Sequence, residues 1–252
     1  MEFKKLIDRK NELDRITTSL KREDTQFVVV YGRRRIGKST LLKHIVNIKE
    51  NAIYFLSDSS SETIQRAAFA KSVAAVIDGF DKVIYPDWET LFRSINHQLT
   101  YRTVICMDEF PYLVKSCEAL PSIIQKLLNE KNLKFDLILC GSSQQLMHGY
   151  VLNKQSPLYG LANEIIKMRP IPFRYIGVAL ECDAVQAVKE FAIWGGVPRY
   201  WEVRRDYSDT ETAIRKVLLD PQGVLIEEPQ RLLRDDMRDT IQATSLLTII
   251  GN

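Results

Sequence analysis

Three groups of residues have the types and spacing to do phosphate chemistry. The first is Gly32-Arg33-Arg34-Arg35-Ile36-Gly37-Lys38-Ser39-Thr40, a G-x-x-x-x-G-K-[ST] pattern between an apolar run at 27–31 and an amphipathic stretch opening with Leu41-Leu42. Glycines let such a loop curl until successive backbone N–H groups converge on phosphate oxygens, and the helix behind it adds the positive end of its dipole. On this logic Lys38 reaches the β- and γ-phosphates of a nucleoside triphosphate, and the Ser39 hydroxyl joins a Mg²⁺ shell. Arg33, Arg34 and Arg35 add field around the phosphates, read a partner's charge, or point to solvent.

The second group is Asp108-Glu109, closing the apolar run 103–107. Asp108 is placed to hold Mg²⁺ through a water, and Glu109 to orient and deprotonate the attacking water. A protein that only holds nucleotide manages with the first carboxylate, so the second argues for hydrolysis. The third group is Ser142-Ser143, after the run 137–140 and Gly141. If that fourth strand is inserted between the first and third, Ser142 or Ser143 lies between the γ-phosphate and the water. No N-K-x-D segment follows the sheet, which removes a guanine reader and leaves ATP.

These residues act together only if several strands end at one place. Runs at 27–31, 52–56, 103–107, 137–140 and 164–168 have the β-branched, doubly buried look of parallel strands. Amphipathic stretches at 39–49, 62–77, 88–99 and 121–129 separate them, with Ser61 and Asp87 as N-caps. The alternation predicts an α/β, three-layer P-loop NTPase fold with a five-stranded parallel sheet. After Pro170-Ile171-Pro172 helical periodicity takes over, broken at Gly195-Gly196-Val197-Pro198 and Asp220-Pro221-Gln222-Gly223. Residues 1–170 are therefore expected to form the nucleotide domain, and 171–252 a smaller helical domain.

With these residues in place, the chain resembles the archaeal-type ATPase family, P-loop ATPases of the AAA+/STAND group. The matching residues are Ile7-Asp8-Arg9-Lys10-Asn11-Glu12-Leu13, the two nucleotide motifs, Leu139-Cys140-Gly141-Ser142-Ser143, Ser156-Pro157-Leu158-Tyr159-Gly160 and Trp194-Gly195-Gly196-Val197-Pro198-Arg199-Tyr200. The resemblance implies that the first box packs near the nucleotide base, that residues 171–252 are a helical lid beginning a winged-helix module, and that the lid proline approaches the base. An arginine usually follows Pro-Leu-Tyr-Gly in this family; here it is Leu161, with Arg169, Arg174 and Arg199 as substitutes or plain surface charges. An arginine finger contributes about 10³–10⁵ in rate, so its absence bears on how fast hydrolysis runs. Ile241, Leu246, Leu247, Ile249 and Ile250 crowd the last stretch. They predict a longer protein, and the resemblance implies that the region missing here is a winged helix with a nuclease-like domain, the alternative being a final helix that folds back or pairs with a second subunit.

The remaining composition excludes more than it proposes. The 252 residues are 45% hydrophobic and 27% charged, with a net charge of +3, too small an excess to announce a nucleic-acid binder. No apolar run approaches the roughly 18 residues of a membrane span, and the N-terminus turns charged before a signal core can form. Cys106, Cys117, Cys140 and Cys182 form no C-x-x-C pair. They read as reduced thiols of a cytoplasmic protein. His44, His97 and His148 lack ligand spacing; Trp88, Phe92, Trp194, Tyr200 and Trp201 read as core; Arg204-Arg205 and the arginines at 231–238 read as solvated helix faces.

The combined expectation is Mg²⁺-dependent ATP hydrolysis used as a conformational switch. The alternative is a non-hydrolysing ATP-binding module that docks a protein or nucleic acid, with an oligomer of this chain as a further expectation. A small-molecule kinase is a distant third, since nothing resembles a substrate lid with clustered arginines.

Overall fold

The computed structural model describes residues 7–130, 132–142, 144–236 and 240–251. Its centre is a sheet of β1 (Phe27–Tyr31), β2 (Ala52–Leu56), β3 (Thr103–Asp108), β4 (Phe135–Gly141) and β5 (Glu164–Lys167). The spatial order is β2-β3-β4-β1-β5 and every pairing is parallel. β4 lies between β1 and β3, the insertion that brings the third group of residues beside the first two. β3 and β4 are buried along their whole length, which is why they read as unbroken apolar runs.

The helices of the first part are α1 (Lys10–Ser19), α2 (Lys38–Ile48), α3 (Glu62–Val73), α4 (Trp88–Gln98), α5 (Phe110–Ser116), α6 (Leu120–Leu128) and the short α7 (Gln144–Met147). Because strand side chains alternate, each strand feeds two cores. Val28, Val30, Cys106, Ile138 and Cys140 pack under α1 and α2 against Ile16, Leu41, Leu42 and Ile45. Phe27, Val29, Ile105 and Leu137 face the opposite layer, with Phe69, Trp88, Phe92, Leu113 and Ile124 from α3 to α6.

Two local expectations divide. Asp87 caps α4, its carboxylate accepting the Thr90 N–H at 2.7 Å. Ser61 occupies the N-cap position of α3 but its side chain makes no cap bond. The buried Gln65 organises that entrance instead, donating to the Ser60 carbonyl at 3.1 Å and to the Ser116 hydroxyl at 3.1 Å. α3 also ends at Val73, short of residue 77, because the chain tightens into turns there before Gly79 and the buried Phe80.

Beyond β5 come α8 (Ile176–Leu180), α9 (Ala184–Trp194), α10 (Pro198–Arg205), α11 (Thr210–Ile214), α12 (Glu228–Asp236) and α13 (Thr240–Gly251). Ile171, Ile176, Ala187, Trp194, Trp201, Val217 and Leu225 form a third, separate core among them. Arg204 corrects its expected place on a solvated face. It turns inward to Glu190, which is only 1% exposed, and bonds it through Nε at 2.9 and 3.0 Å. Thr210, Gln186 and the Trp194 indole complete the shell around this carboxylate at 2.6, 2.9 and 2.8 Å.

Candidate functional site

β1 hands the chain to Gly32 at φ 152°, where a Cβ would sit 2.5 Å from the Met168 carbonyl oxygen. Only glycine fits that approach. The loop then passes through Arg35 at φ 67° and Gly37 at φ 92°, the N-cap of α2. Ile36 is fully buried and pins the loop to the core under α1 and α2. Arg9 holds it from behind, donating to the carbonyls of Ile36 and Arg169, both at 2.9 Å, and pairing with Glu12 at 3.1 Å. The N-terminal box thus packs on the loop itself.

Lys38 is buried, and its Nζ donates to the Arg33 carbonyl at 2.8 Å. Burial lowers its pKa below the ordinary lysine value, with Cys140, Glu109 and Asp108 opposing and Arg34 adding to the fall. An ammonium beside this loop and two carboxylates is able to donate to anionic oxygens. Ser39 follows it on the first turn of α2, and Thr40 and Arg34 are exposed.

The acidic pair ends β3. Asp108 is 0% exposed; its Oδ2 accepts the Tyr54 hydroxyl at 2.8 Å and its Oδ1 the Glu109 amide at 2.9 Å. Glu109 stands in the left-handed region at φ 54°, uncommon for a non-glycine residue. The Ser57 hydroxyl, 2.7 Å from the carbonyl oxygens of both Asp108 and Glu109, braces that turn. Glu109 Oε2 in turn accepts the Ser142 hydroxyl at 2.9 Å. The loop, the acidic pair and Ser142 therefore meet at the carboxyl ends of β1, β3 and β4, where open α/β sheets bind ligands. Ser143 lies outside the described residues.

A divalent cation fits this donor set. Mg²⁺ prefers oxygen ligands and is usually held by one or two carboxylates plus substrate phosphates. Asp108 and Ser39 supply such oxygens beside the loop. Among the described residues no cluster of three or more His, Cys, Asp or Glu makes a cage built from protein alone.

Several partners escaped the sequence. Arg35 does not simply face solvent but forms an ion pair with Glu228 of α12 at 3.0 Å, and Glu228 also accepts the Tyr200 hydroxyl at 2.9 Å. The glycines before α10 dock on the exit of β5, Ile171 N–H donating to the Gly196 carbonyl at 2.7 Å. Leu161 is partly buried and packs against the core of the α3–α6 layer. Arg174 and Arg199 are exposed and pair with Asp8 and Glu202. Tyr54 also escaped the sequence: it is brought beside Asp108 by the pairing of β2 with β3.

A family model described as an ATPase domain predominantly from Archaea matches residues 6–176. The chain belongs to this family. An uncharacterised protein of Methanocaldococcus jannaschii is 31% identical over 212 residues, covering 81% of this chain and 46% of that protein. The ATPase chain thus spans about half the length of the curated relative it matches. Its fold is shared with the Aeropyrum pernix ORC1 protein solved in complex with DNA, at 14% identity and a TM-score of 0.60 over 91% of this chain and 69% of that one. It is also shared with the Thermotoga maritima RuvB Holliday junction branch migration motor, at 17% identity and a TM-score of 0.54 over 89% and 73%. At these identities the likeness is one of fold. No helix among the described residues of this chain is long and apolar enough to cross a membrane.

Proposed function

We propose that this chain binds Mg-ATP in the loop 32–40, hydrolyses it, and uses the cycle to reposition its helical part. The observation that carries the reading is the meeting of Lys38, Asp108, Glu109 and Ser142 at three strand ends, with Ser142 bonded to Glu109. The loop amides and Lys38 hold the β- and γ-phosphates. Ser39 and Asp108 hold Mg²⁺, which when bound neutralises charge on the phosphate oxygens. Glu109 takes a proton from water as the water oxygen bonds to the γ-phosphorus. The bond from that phosphorus to the bridging oxygen breaks, ADP keeps the electron pair, and inorganic phosphate leaves. Ser142 keeps the Glu109 carboxylate aimed at the water.

Residues 171–252 act as the lid in this reading, with Gly195-Gly196-Val197-Pro198 as the feature that supports a STAND-like placement. ATP as substrate makes the cytoplasm the place of action. Leu161 favours a slow intrinsic rate, raised by an arginine from a second copy or a partner. It also supports a second reading, a binding module that holds ATP to dock a protein or nucleic acid. DNA is the first partner to try, because the similar folds include a protein solved on DNA and a Holliday junction motor.

Two variants test the site. Lys38→Ala is expected to weaken Mg-ATP binding strongly while circular dichroism stays native; unchanged affinity in a folded variant refutes the loop assignment. Glu109→Gln is expected to keep ATP affinity and lose turnover, measured with and without DNA. A wild-type protein with no turnover under either condition selects the binding module.

A further inference from the structure

We propose that Tyr54 is a positioning residue for the metal of this site, its phenol hydroxyl tying together the Ser39 and Asp108 oxygens that receive Mg²⁺. The inference rests on the Mg-ATP reading above and adds a residue that neither nucleotide motif contains.

The geometry comes from the sheet. Tyr54 pairs in register with Cys106, and Asp108 lies two residues further along the same strand, hence on the same face. The Tyr54 hydroxyl donates to Asp108 Oδ2 at 2.8 Å, and the Ser39 hydroxyl adjoins the same phenol. One group on β2 therefore touches side chains from the phosphate loop helix and from the acidic pair. Lys43, one turn along α2 from Ser39, sits with its Nζ 5.5 Å from the centre of the Tyr54 ring, and the ring packs into the core under α1 and α2. The ring is thus fixed from both sides.

Packing alone does not call for the hydroxyl, since phenylalanine fills the same volume. What the hydroxyl supplies is a proton donor to a carboxylate with 0% exposure. A phenol is an O–H donor at neutral pH, whereas phenylalanine offers none. Each carboxylate oxygen accepts more than one hydrogen bond, so Oδ2 keeps capacity for a metal-bound water while held in one orientation. Removing such an outer partner typically costs about 10–100-fold in metal affinity.

The test is equilibrium binding of a fluorescent ATP analogue, titrated with Mg²⁺, in wild type and Tyr54→Phe, with a parallel titration in EDTA. The expected result is a rise of about tenfold or more in the Mg²⁺ concentration for half-maximal tightening. Metal-free nucleotide affinity should stay within about twofold of wild type, since no loop contact changes. An unchanged Mg²⁺ midpoint overturns the proposal, as does an equal loss in EDTA, which would mark a packing role. If Tyr54→Phe is poorly folded, Tyr54→Met, which also lacks the hydroxyl, takes its place in the same titration with the same expected and overturning results. In the variant that folds, a cycle with Ser39→Ala is expected to give non-additive shifts, and additive shifts reject the tie. Wild-type binding that ignores Mg²⁺ removes the metal assignment itself, a failure distinct from that of Tyr54.

Discussion

The Ser142 hydroxyl donates to Glu109 Oε2 at 2.9 Å, with the Ser142 amide 3.3 Å from the same oxygen. One carboxylate oxygen is thus engaged by the tip of β4, and in the proposed reading the other meets the attacking water. Two strands that neighbour each other only because β4 is inserted beside β3 fix the direction of the proposed base.

Removing that hydroxyl should act on turnover and not on affinity. In Ser142→Ala the carboxylate loses its side-chain donor, and kcat is expected to fall about tenfold, the equivalent of about 1.4 kcal/mol in the barrier. ATP affinity should change less than about twofold, because the loop 32–40 is untouched. Steady-state turnover set beside equilibrium binding measures both. A wild-type kcat would show that Ser142 is only a turn residue.

Lys38 makes a prediction about the empty protein. Its lowered pKa means that burial outweighs the attraction of Glu109 and Asp108, so the charged lysine is a net burden without phosphates. Lys38→Met should therefore raise the apo melting temperature, by about 2–4 °C for each kcal/mol relieved, while abolishing stabilisation by ATP. The sign with pH follows. A lysine whose folded pKa lies below its unfolded value binds fewer protons when folded, so wild-type stability rises as pH passes through the folded value toward 10.5. The gap between variant and wild type should narrow over that climb. A variant less stable than wild type at neutral pH contradicts the argument.

What was legible in the sequence was whatever leaves a local mark. The five strands were visible because parallel strands buried on both faces need continuous apolar runs. The loop was visible because glycines and a lysine at fixed spacing have few other uses. Contacts between distant residues leave no such mark. Arg204 stood among charged neighbours and looked solvated, yet its partner Glu190 lies 14 residues earlier on another helix. Arg35 likewise meets Glu228 only after the chain has built the whole sheet and returned. The capping failure at Ser61 has the same cause, since Gln65 reaches across to Ser116 on α5.

The Glu190 network should be a stability element of the helical part. Burial pushes its carboxyl up, but hydrogen bonds from Arg204, Thr210 and Gln186 overcome this and leave the pKa below the ordinary value. Glu190→Ala leaves the half-buried Arg204 without its carboxylate and is expected to cost up to about 3 kcal/mol, read by chemical denaturation. For a depressed carboxylate the stabilisation is fully present above the unfolded pKa, 4.5, and is lost as pH falls through the folded value. Acid should therefore erode the difference between wild type and the variant. A cost that does not shrink below pH 4.5 would mean packing, not charge, is what Glu190 supplies.

Glu228 is expected to compete with nucleotide for the Arg35 guanidinium. Arg35 lies in the candidate phosphate cradle, yet it is paired at 3.0 Å with a carboxylate that also holds Tyr200. A triphosphate entering the loop brings negative charge toward Arg35 and repels Glu228 at the start of α12. Part of the binding energy is then used to loosen this link, which is how an event at the loop would reach the helices beyond it. Glu228→Gln removes the competing charge while keeping shape and a hydrogen-bond acceptor for Tyr200. A partly exposed pair of this kind contributes about 0.2–1 kcal/mol, so ATP affinity should rise by about two- to fivefold. The gain should fade at high salt, which screens the same pair. Titration of a fluorescent ATP analogue at low and high ionic strength reads both effects. If affinity falls or stays level at low salt, Arg35 gives nothing to the phosphates and the ion pair is only a structural link between the loop and α12.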